Sequence, residues 1–335
     1  MNFLIGLGIL LVVTTICSLL LTYMLIYLMP ALGIIDVPSK RRAHLKSTPR
    51  GGGLAFVIIF SVALPAFEYV TINSLYTSTI LLQLFIPLSL LSFLDDISHV
   101  FIPFRLFIHI LCSCLAVMWL IHPNTILHYE IPVILDLAIG TFALLSFLNI
   151  YNFLDGIDGI TVSESMHLSC TILILCMLGY DIIPNVDIII IISTIILGWS
   201  LGFICFNWQP ARIFLGDVGS ISLGFLLGVC LLTIASASAK LFVACVIAAL
   251  YYIADGGMTL LIRIVKGERI WEPHLQHFFQ KAVCKKGQTH AFVVKRIMRC
   301  NVMLMLFAVN SLYYPALSII CAIVAVIVTI VRLVA

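Results

Sequence analysis

The residues best able to do chemistry stand in one short run, Asn149-Ile-Tyr-Asn152-Phe-Leu-Asp155-Gly-Ile-Asp158-Gly159. If the run is helical, two carboxylates three residues apart lie on neighbouring faces. The glycine after each Asp costs helix stability and lets a ligand or another backbone come close. Apolar segments flank the run, Ile131 to Leu148 with the single acid Asp136, and Met166 to Leu178. Amides and carboxylates placed at the edge of such segments point to a metal or phosphate site.

Four other motifs carry suitable groups. Thr48-Pro49-Arg50-Gly51-Gly52-Gly53 leads into an apolar run, and glycines beside a cation at a helix start can present N–H groups to phosphate. A tight helix entry is the competing reading. Leu94-Asp95-Asp96 closes another apolar run. Mg²⁺ takes carboxylate oxygens together with substrate phosphates, and a general base needs one free carboxylate. The helix dipole disfavours acids at a C-terminus, which weakens a merely structural reading of the pair. Arg105 follows in Pro103-Phe104-Arg105, aimed at an anion or at these acids. In Phe214-Leu-Gly-Asp217-Val-Gly-Ser220, Asp217 suits a helix N-terminus, so plain capping competes with a ligand role. Last comes Glu272-Pro273-His274-Leu275-Gln276-His277. Two His without an intervening Glu or a Cys partner do not make a zinc motif. As donors beside Arg263, Lys266 and Arg269, these imidazoles suit a diphosphate better.

The elements that must position these groups are apolar helices. The chain has 335 residues, 62% hydrophobic and only 10% charged, against roughly 25% charged in a soluble domain. Lipid is therefore the solvent for most of it, organised as a single integral membrane domain over residues 1–335. At about 20 apolar residues per crossing, eleven spans are expected: 3–29, 53–71, 76–94, 103–121, 131–150, 164–180, 186–206, 219–238, 240–262, 298–313 and 315–333. Ten is the alternative, because several are short or contiguous. The N-terminal run lacks a basic start and a small-residue cleavage site, so it reads as a retained span. With the N-terminus outside, every Lys and Arg except Lys240 falls on or beside a cytoplasmic loop, as the positive-inside rule asks. The longest such loop is 263–297. Asp36, Asp95, Asp96, Asp155, Asp158, Asp217, Glu268 and Glu272 share that side, with Asp255 in the inner part of the ninth span, and a cluster of ionisable groups at one depth reads as one site. Glu68, Glu130, Asp181 and Asp187 lie at outer loops and need no function. Asp136 reads as a satisfied structural carboxylate. The eleven cysteines, scattered in apolar runs, read as small buried hydrophobes.

In this order, Pro-Arg-Gly-Gly-Gly, Asp-Asp, Asn-Phe-x-Asp-Gly-x-Asp-Gly, Gly-Asp-x-Gly-Ser and a late His-x-x-His resemble the polyprenyl-phosphate N-acetylhexosamine-1-phosphate transferases, glycosyltransferase family 4. The likeness runs from Gly33-Ile-Ile-Asp36-Val-Pro to His277. It looks nearer to undecaprenyl-phosphate N-acetylglucosaminyl 1-phosphate transferases than to phospho-N-acetylmuramoyl-pentapeptide transferases. The resemblance implies transfer of an N-acetylhexosamine 1-phosphate from a UDP-sugar to undecaprenyl phosphate, with Mg²⁺ or Mn²⁺, releasing UMP at the cytoplasmic face of a bacterial inner membrane. It implies Asp217 as metal ligand with Asn152 as its partner. Asp95 and Asp96 would handle the lipid phosphate and metal, and Asp155 and Asp158 would be nucleotide-side acids. Arg50, Gly52, Arg105, Asn149, Arg263, His274 and His277 would bind substrate. Leu275-Gln276 stands where the glucosaminyl enzymes carry a denser His run. The Trp271-Glu-Pro-His-x-x-His form looks more like relatives that initiate O-antigen on lipopolysaccharide with modified N-acetylhexosamines. Nothing suggests nucleic acid as a partner, and a homodimer is open.

The physics agrees, since phosphoryl transfer between two anions needs a divalent metal and cations more than a covalent apparatus. Direct attack by the lipid phosphate on the β-phosphorus is expected, with a two-step route through a phospho-aspartate as runner-up. A rival enzyme class is the aspartate-rich membrane prenyltransferase, which lacks a Pro-Arg-Gly-Gly-Gly loop. A transporter would put its ionisable residues at the midplane and repeat its halves.

Overall fold

The computed structural model describes residues 3–36, 47–121, 132–269 and 274–335. Lys40, Arg41, Arg42 and Lys46, with Glu130, Trp271 and Glu272, lie outside the described residues. The described residues are mostly helical. The helices are α1 (Phe3–Ala31), α2 (Gly53–Ile72), α3 (Tyr76–Ile97), α4 (Ile102–Ala116, continuing as a π-helical turn to Ile121), α5 (Val133–Phe153), α6 (Ile160–Leu178) and α7 (Val186–Asn207). Then follow α8 (Asp217–Ala235), α9 (Ala239–Ala248), α10 (Leu250–Val265), α11 (Phe278–Cys284), α12 (His290–Asn310) and α13 (Pro315–Val334). The described strands are a two-residue antiparallel pair, β1 (Ile35–Asp36) and β2 (Thr48–Pro49).

Among the described residues, nine helices are long and apolar enough to cross a membrane, or ten with α9 and α10 as one span bent by 69°. This corrects the expectation of eleven to its ten-span alternative at most. The expected span 298–313 falls mostly on α12, which runs from His290 to Asn310 and so takes in Lys295, Arg296 and Arg299. It is not among the helices that qualify. Nor is 263–297 a plain loop, because it holds the end of α10, all of α11 and the first turns of α12.

Small residues set the packing. In a bilayer, helices gain by close van der Waals approach rather than by escaping water. A Cβ on Gly198 would lie 2.0 Å from Thr14 Oγ1, and one on Gly202 2.6 Å from Ser18 Cβ. The constant offset means that α1 and α7 run parallel. On α8, Gly224 abuts Leu148 and Tyr151, and Gly228 abuts Leu144 and Phe147. Contacts descending on α5 as they ascend on α8 make that pair antiparallel, and one turn earlier the same register sets Ser220 against Asn152. Ser89 Oγ on α3 meets Ser222 Oγ at 2.7 Å. Helix α8 is thus the central post, buried along nearly its whole length. The outer helices turn apolar side chains outward, among them Leu4, Ile9, Leu20, Val62, Val70, Phe142 and Leu306. Glu68 caps α3, accepting from Thr77 N at 3.2 Å and Ser78 N at 2.8 Å, and all eleven cysteines are unpaired.

Candidate active site

The site forms at the start of α8, where loops from distant parts of the chain are stitched together. Arg50 N donates to Ile34 O at 3.2 Å, and Phe214 N to Pro49 O at 2.8 Å. Gly52 N donates to Phe214 O at 2.9 Å and Gly53 N to Leu215 O at 2.8 Å. A Cβ on Gly53 would stand 2.2 Å from Gly219 Cα, and one on Gly52 2.6 Å from the Phe203 ring. These glycines are there for close approach, and the N–H of Gly52 is already spent. Offering it to a phosphate, as the sequence reading had it, does not fit this geometry. What the loop delivers is the Arg50 side chain.

Three carboxylates and two guanidiniums alternate in space. Asp96 Oδ1 accepts from Asp217 N at 2.9 Å and from Arg50 Nε at 2.8 Å, while Oδ2 accepts from Val218 N at 3.0 Å. Asp96 ends α3 yet caps α8, so the dipole that disfavours it at home favours it at the neighbouring N-terminus. Its side chain is fully buried and both oxygens are used. Expected as a catalytic acid or base, it is placed here as a cap. Asp217 is thereby relieved of capping. Arg50 Nη2 pairs with its Oδ1, and Arg105 Nη1 lies 3.5 Å from its Oδ2. Arg105 is held by Asp95 Oδ2, whose other oxygen accepts from Val100 N at 2.8 Å. Burial alone would lower the Arg50 pKa; Asp217 and Asp96 beside it more than offset that and raise it.

The Asn149–Gly159 motif is helical only as far as Phe153, and its two carboxylates stand in the turn that follows. It leaves α5 at Phe153 and enters α6 at Ile160, with Gly159 at φ 78°. Asn152 Oδ1 accepts from Ser220 Oγ at 2.6 Å, and Asp155 Oδ1 from Thr161 Oγ1 at 2.6 Å. Burial raises the Asp155 carboxyl to about 7, against the Thr161 hydrogen bond and helped by the charge of Asp217. Asp158 Oδ2 accepts from Ala211 N at 3.1 Å, and its Oδ1 lies 3.3 Å from His290 Nδ1. Asn207 ties the turn down, accepting from Gly159 N at 3.1 Å and donating to Ile213 O at 3.0 Å. Asn149, a turn earlier on α5, donates to Leu145 O at 2.7 Å and does not line the cavity described next.

Part of this set faces one polar cavity of about 260 Å³. Arg50, Asn152, Asp155, Asp158, Asp217 and His274 line it. So do residues that the sequence reading assigned no role, chiefly Asn207, Gln280 and His290. His290 opens a helix behind Thr289, which caps it, and nothing local marks it or Asn207 as a cavity residue. Asp95, Asp96 and Arg105 stand behind the lining, through Asp217 and Arg50. His274 Nδ1 accepts from Gln276 N at 3.3 Å, which puts the ring proton on Nε2. Burial, then the neighbouring His277 and Arg263, lower its pKa to about 4, so it is a neutral donor and not a cation. His277 and Arg263 are not brought to the cavity. His277 is buried against Asp255. Arg263 holds Glu268 at 3.0 Å and Arg269 O at 2.6 Å.

Among the described residues, no three His, Cys, Asp or Glu side chains are grouped closely enough to hold a metal ion. The donor chemistry nonetheless suits Mg²⁺, which takes one or two carboxylates and completes its shell with phosphate oxygens and water. Asp217 and Asp155 supply carboxylates, and the Asn152 oxygen has a second lone pair beyond the Ser220 bond.

Sequence comparison bears on the same stretch. Residues 76–236 match the model of glycosyl transferase family 4. The matched stretch carries Asp95, Asp96, Arg105, Asn149, Asn152, Asp155, Asp158 and Asp217, while Arg50, Gly52, Arg263, His274 and His277 fall outside it. The chain is 29% identical over 230 residues to a phospho-N-acetylmuramoyl-pentapeptide-transferase of Borrelia hermsii (strain HS1 / DAH), covering 60% of this chain and 65% of that one. It is 26% identical over 205 residues to a probable undecaprenyl-phosphate N-acetylglucosaminyl 1-phosphate transferase of Bacillus subtilis (strain 168), covering 58% and 53%. The chain thus spans less than two thirds of the length of these relatives.

Proposed function

We propose that the protein transfers an N-acetylhexosamine 1-phosphate from a UDP-sugar to undecaprenyl phosphate, releasing UMP and a lipid-linked diphosphate sugar. One observation carries this reading. Asp155 and Asp158 of the α5–α6 turn and Asp217 of α8 converge with Arg50 on one polar cavity, backed by Asp95, Asp96 and Arg105 through ion pairs, and the region that matches the family 4 model supplies all of those acids. The lipid phosphate oxygen attacks the β-phosphorus in line; the new P–O bond forms as the bond to the α-phosphate bridging oxygen breaks, and UMP leaves with that oxygen. Arg50 and Arg105, now paired with Asp217, Asp96 and Asp95, swing part of their charge to the incoming phosphates. His274 donates from Nε2. Asp95 takes any proton left on the acceptor, being less committed than Asp96, and one displacement suffices without a phospho-aspartate. Asp217, with Asn152, would hold Mg²⁺ or Mn²⁺, which supplies Lewis-acid neutralisation of the diphosphate.

The protein works as one integral domain of a bacterial inner membrane, site towards the cytoplasm. Arg50, Arg105, Arg212 and Arg263 cluster at the site end, and Lys240 sits exposed beyond the far end of α8, a helix of 19 residues and about 28 Å. The spacing of His274 and His277 favours an N-acetylhexosamine donor that initiates a surface glycan such as O-antigen over the muramoyl-pentapeptide. Offering both donor classes with undecaprenyl phosphate tests this. UMP release with a UDP-N-acetylhexosamine supports it, and release only with the muramoyl-pentapeptide donor reassigns the sugar.

A further inference from the structure

We propose that Asp255 is a positioning residue, which latches the His274–Gln280 segment onto the cavity. The inference rests on the transferase reading above for its kinetic consequence and on geometry alone for the latch. Asp255 sits in α10, just past the 69° bend that follows α9, and is fully buried. An isolated carboxylate there would be costly, but four donors converge on it. Oδ1 accepts from His277 Nδ1 at 3.2 Å and Phe278 N at 3.0 Å. Oδ2 accepts from Tyr251 OH at 3.2 Å and Phe279 N at 3.3 Å. Two of the four are free N–H groups at the start of α11, which has no acid of its own in its first turn.

The latch reaches the cavity through α11. His277 N donates to Gln280 Oε1 at 3.3 Å, and the His277 ring stacks on Phe279 with centroids 5.7 Å apart. Phe279 and Gln280 abut the acid-bearing turn: a Cβ on Gly156 would lie 3.0 Å from Gln280 Nε2 and from Phe279 Cζ. Gln280, Leu275 and His274 line the cavity beside Asp155, whereas Asp255 does not. Asp255 therefore touches no substrate. It holds the segment that does, and it fixes the His277 ring, whose buried Nε2 has no hydrogen-bond partner, 4.9 Å, ring to ring, from His274.

The test is Asp255→Asn in the full-length protein in detergent, with two readouts. Hydrogen exchange over 278–280 reads the latch directly; it should speed up about tenfold or more as charge-assisted bonds are lost, while exchange in α8 stays unchanged. In the transferase assay, KM for the UDP-sugar should rise by about tenfold while KM for undecaprenyl phosphate stays within about twofold. Should the variant fail to insert, His277→Ala keeps Asp255 in α10 and removes one of its four donors, the His277 ring, and both readouts should move the same way to a smaller extent. Unchanged exchange over 278–280 overturns the latch, and donor and acceptor KM rising together overturns the positioning role. If the wild type releases no UMP with any UDP-sugar, the transferase reading falls, and the exchange measurement still decides the latch.

Discussion

Replacing Asp96 separates a residue that builds the site from one that reacts in it. Asp96→Asn keeps the shape but leaves one acceptor where two oxygens now serve Asp217 N, Val218 N and Arg50 Nε. The new NH₂ must face a backbone N–H or the guanidinium, a donor against a donor. Removing one partner of a buried ion pair costs about 3–5 kcal/mol. Arg50 keeps Asp217 and is itself 26% exposed, which places the loss near the lower end, about 3 kcal/mol, of which about 1 kcal/mol is the lost cap on α8. At roughly 2 °C per kcal/mol for a long chain, the melting temperature in detergent should fall by about 6 °C. The assay is a thermal melt of both proteins at equal detergent, with UMP release measured on the folded fraction. A variant that melts with the wild type yet is inactive would refute the capping argument and return Asp96 to the chemistry.

Other expectations follow from the same geometry. Asp155 has its pKa raised from 3.8 to about 7 by burial. The folded state therefore holds this proton more tightly than the unfolded one, and the stability it contributes is present below about pH 4 and lost as pH rises through about 7. Asp155→Asn should melt above the wild type at pH 8, with the gap closing towards pH 4, and a constant gap would contradict the shift. Gly53→Ala would put a Cβ 2.2 Å from Gly219 Cα. It should cost at least about 1–3 kcal/mol as overpacking and lower the melting temperature, while an unchanged melt would mean that α2 and α8 are not so closely apposed. Lys240→Ala should leave turnover within about twofold, because exposed charges remote from a site are nearly neutral; an inactive variant would place Lys240 at the working end.

Much of the fold was legible because lipid as solvent leaves a coarse signal: apolar runs long enough to cross, broken by polar turns. The site was legible for the same reason, since Asp95, Asp155, Asp158 and Asp217 are costly interruptions at run ends. What stayed hidden depends on neighbours. Asp96 reads as an unfavourable C-terminal acid until α8 is placed beside it. The bend between α9 and α10 falls in Ile247-Ala248-Ala249-Leu250, without the Gly or Pro that would announce it. The early start of α12 was masked by Lys295, Arg296 and Arg299, which a hydropathy reading places outside any span. His277 and Arg263 carry motif-like spacing yet serve the scaffold, and Asn207 and His290 line the cavity with no local pattern to mark them.

In the proposed transferase, the convergent acids carry a phosphoryl transfer supported by a divalent ion. The most direct measurement is UMP release by purified wild type and Asp217→Asn, with undecaprenyl phosphate and a panel of UDP-N-acetylhexosamines, with and without Mg²⁺. The wild type should show Mg²⁺-dependent release with at least one donor, and a folded Asp217→Asn should lose about a hundredfold or more. Near-normal release by that variant, or no release by the wild type with any donor, would contradict the proposed transfer.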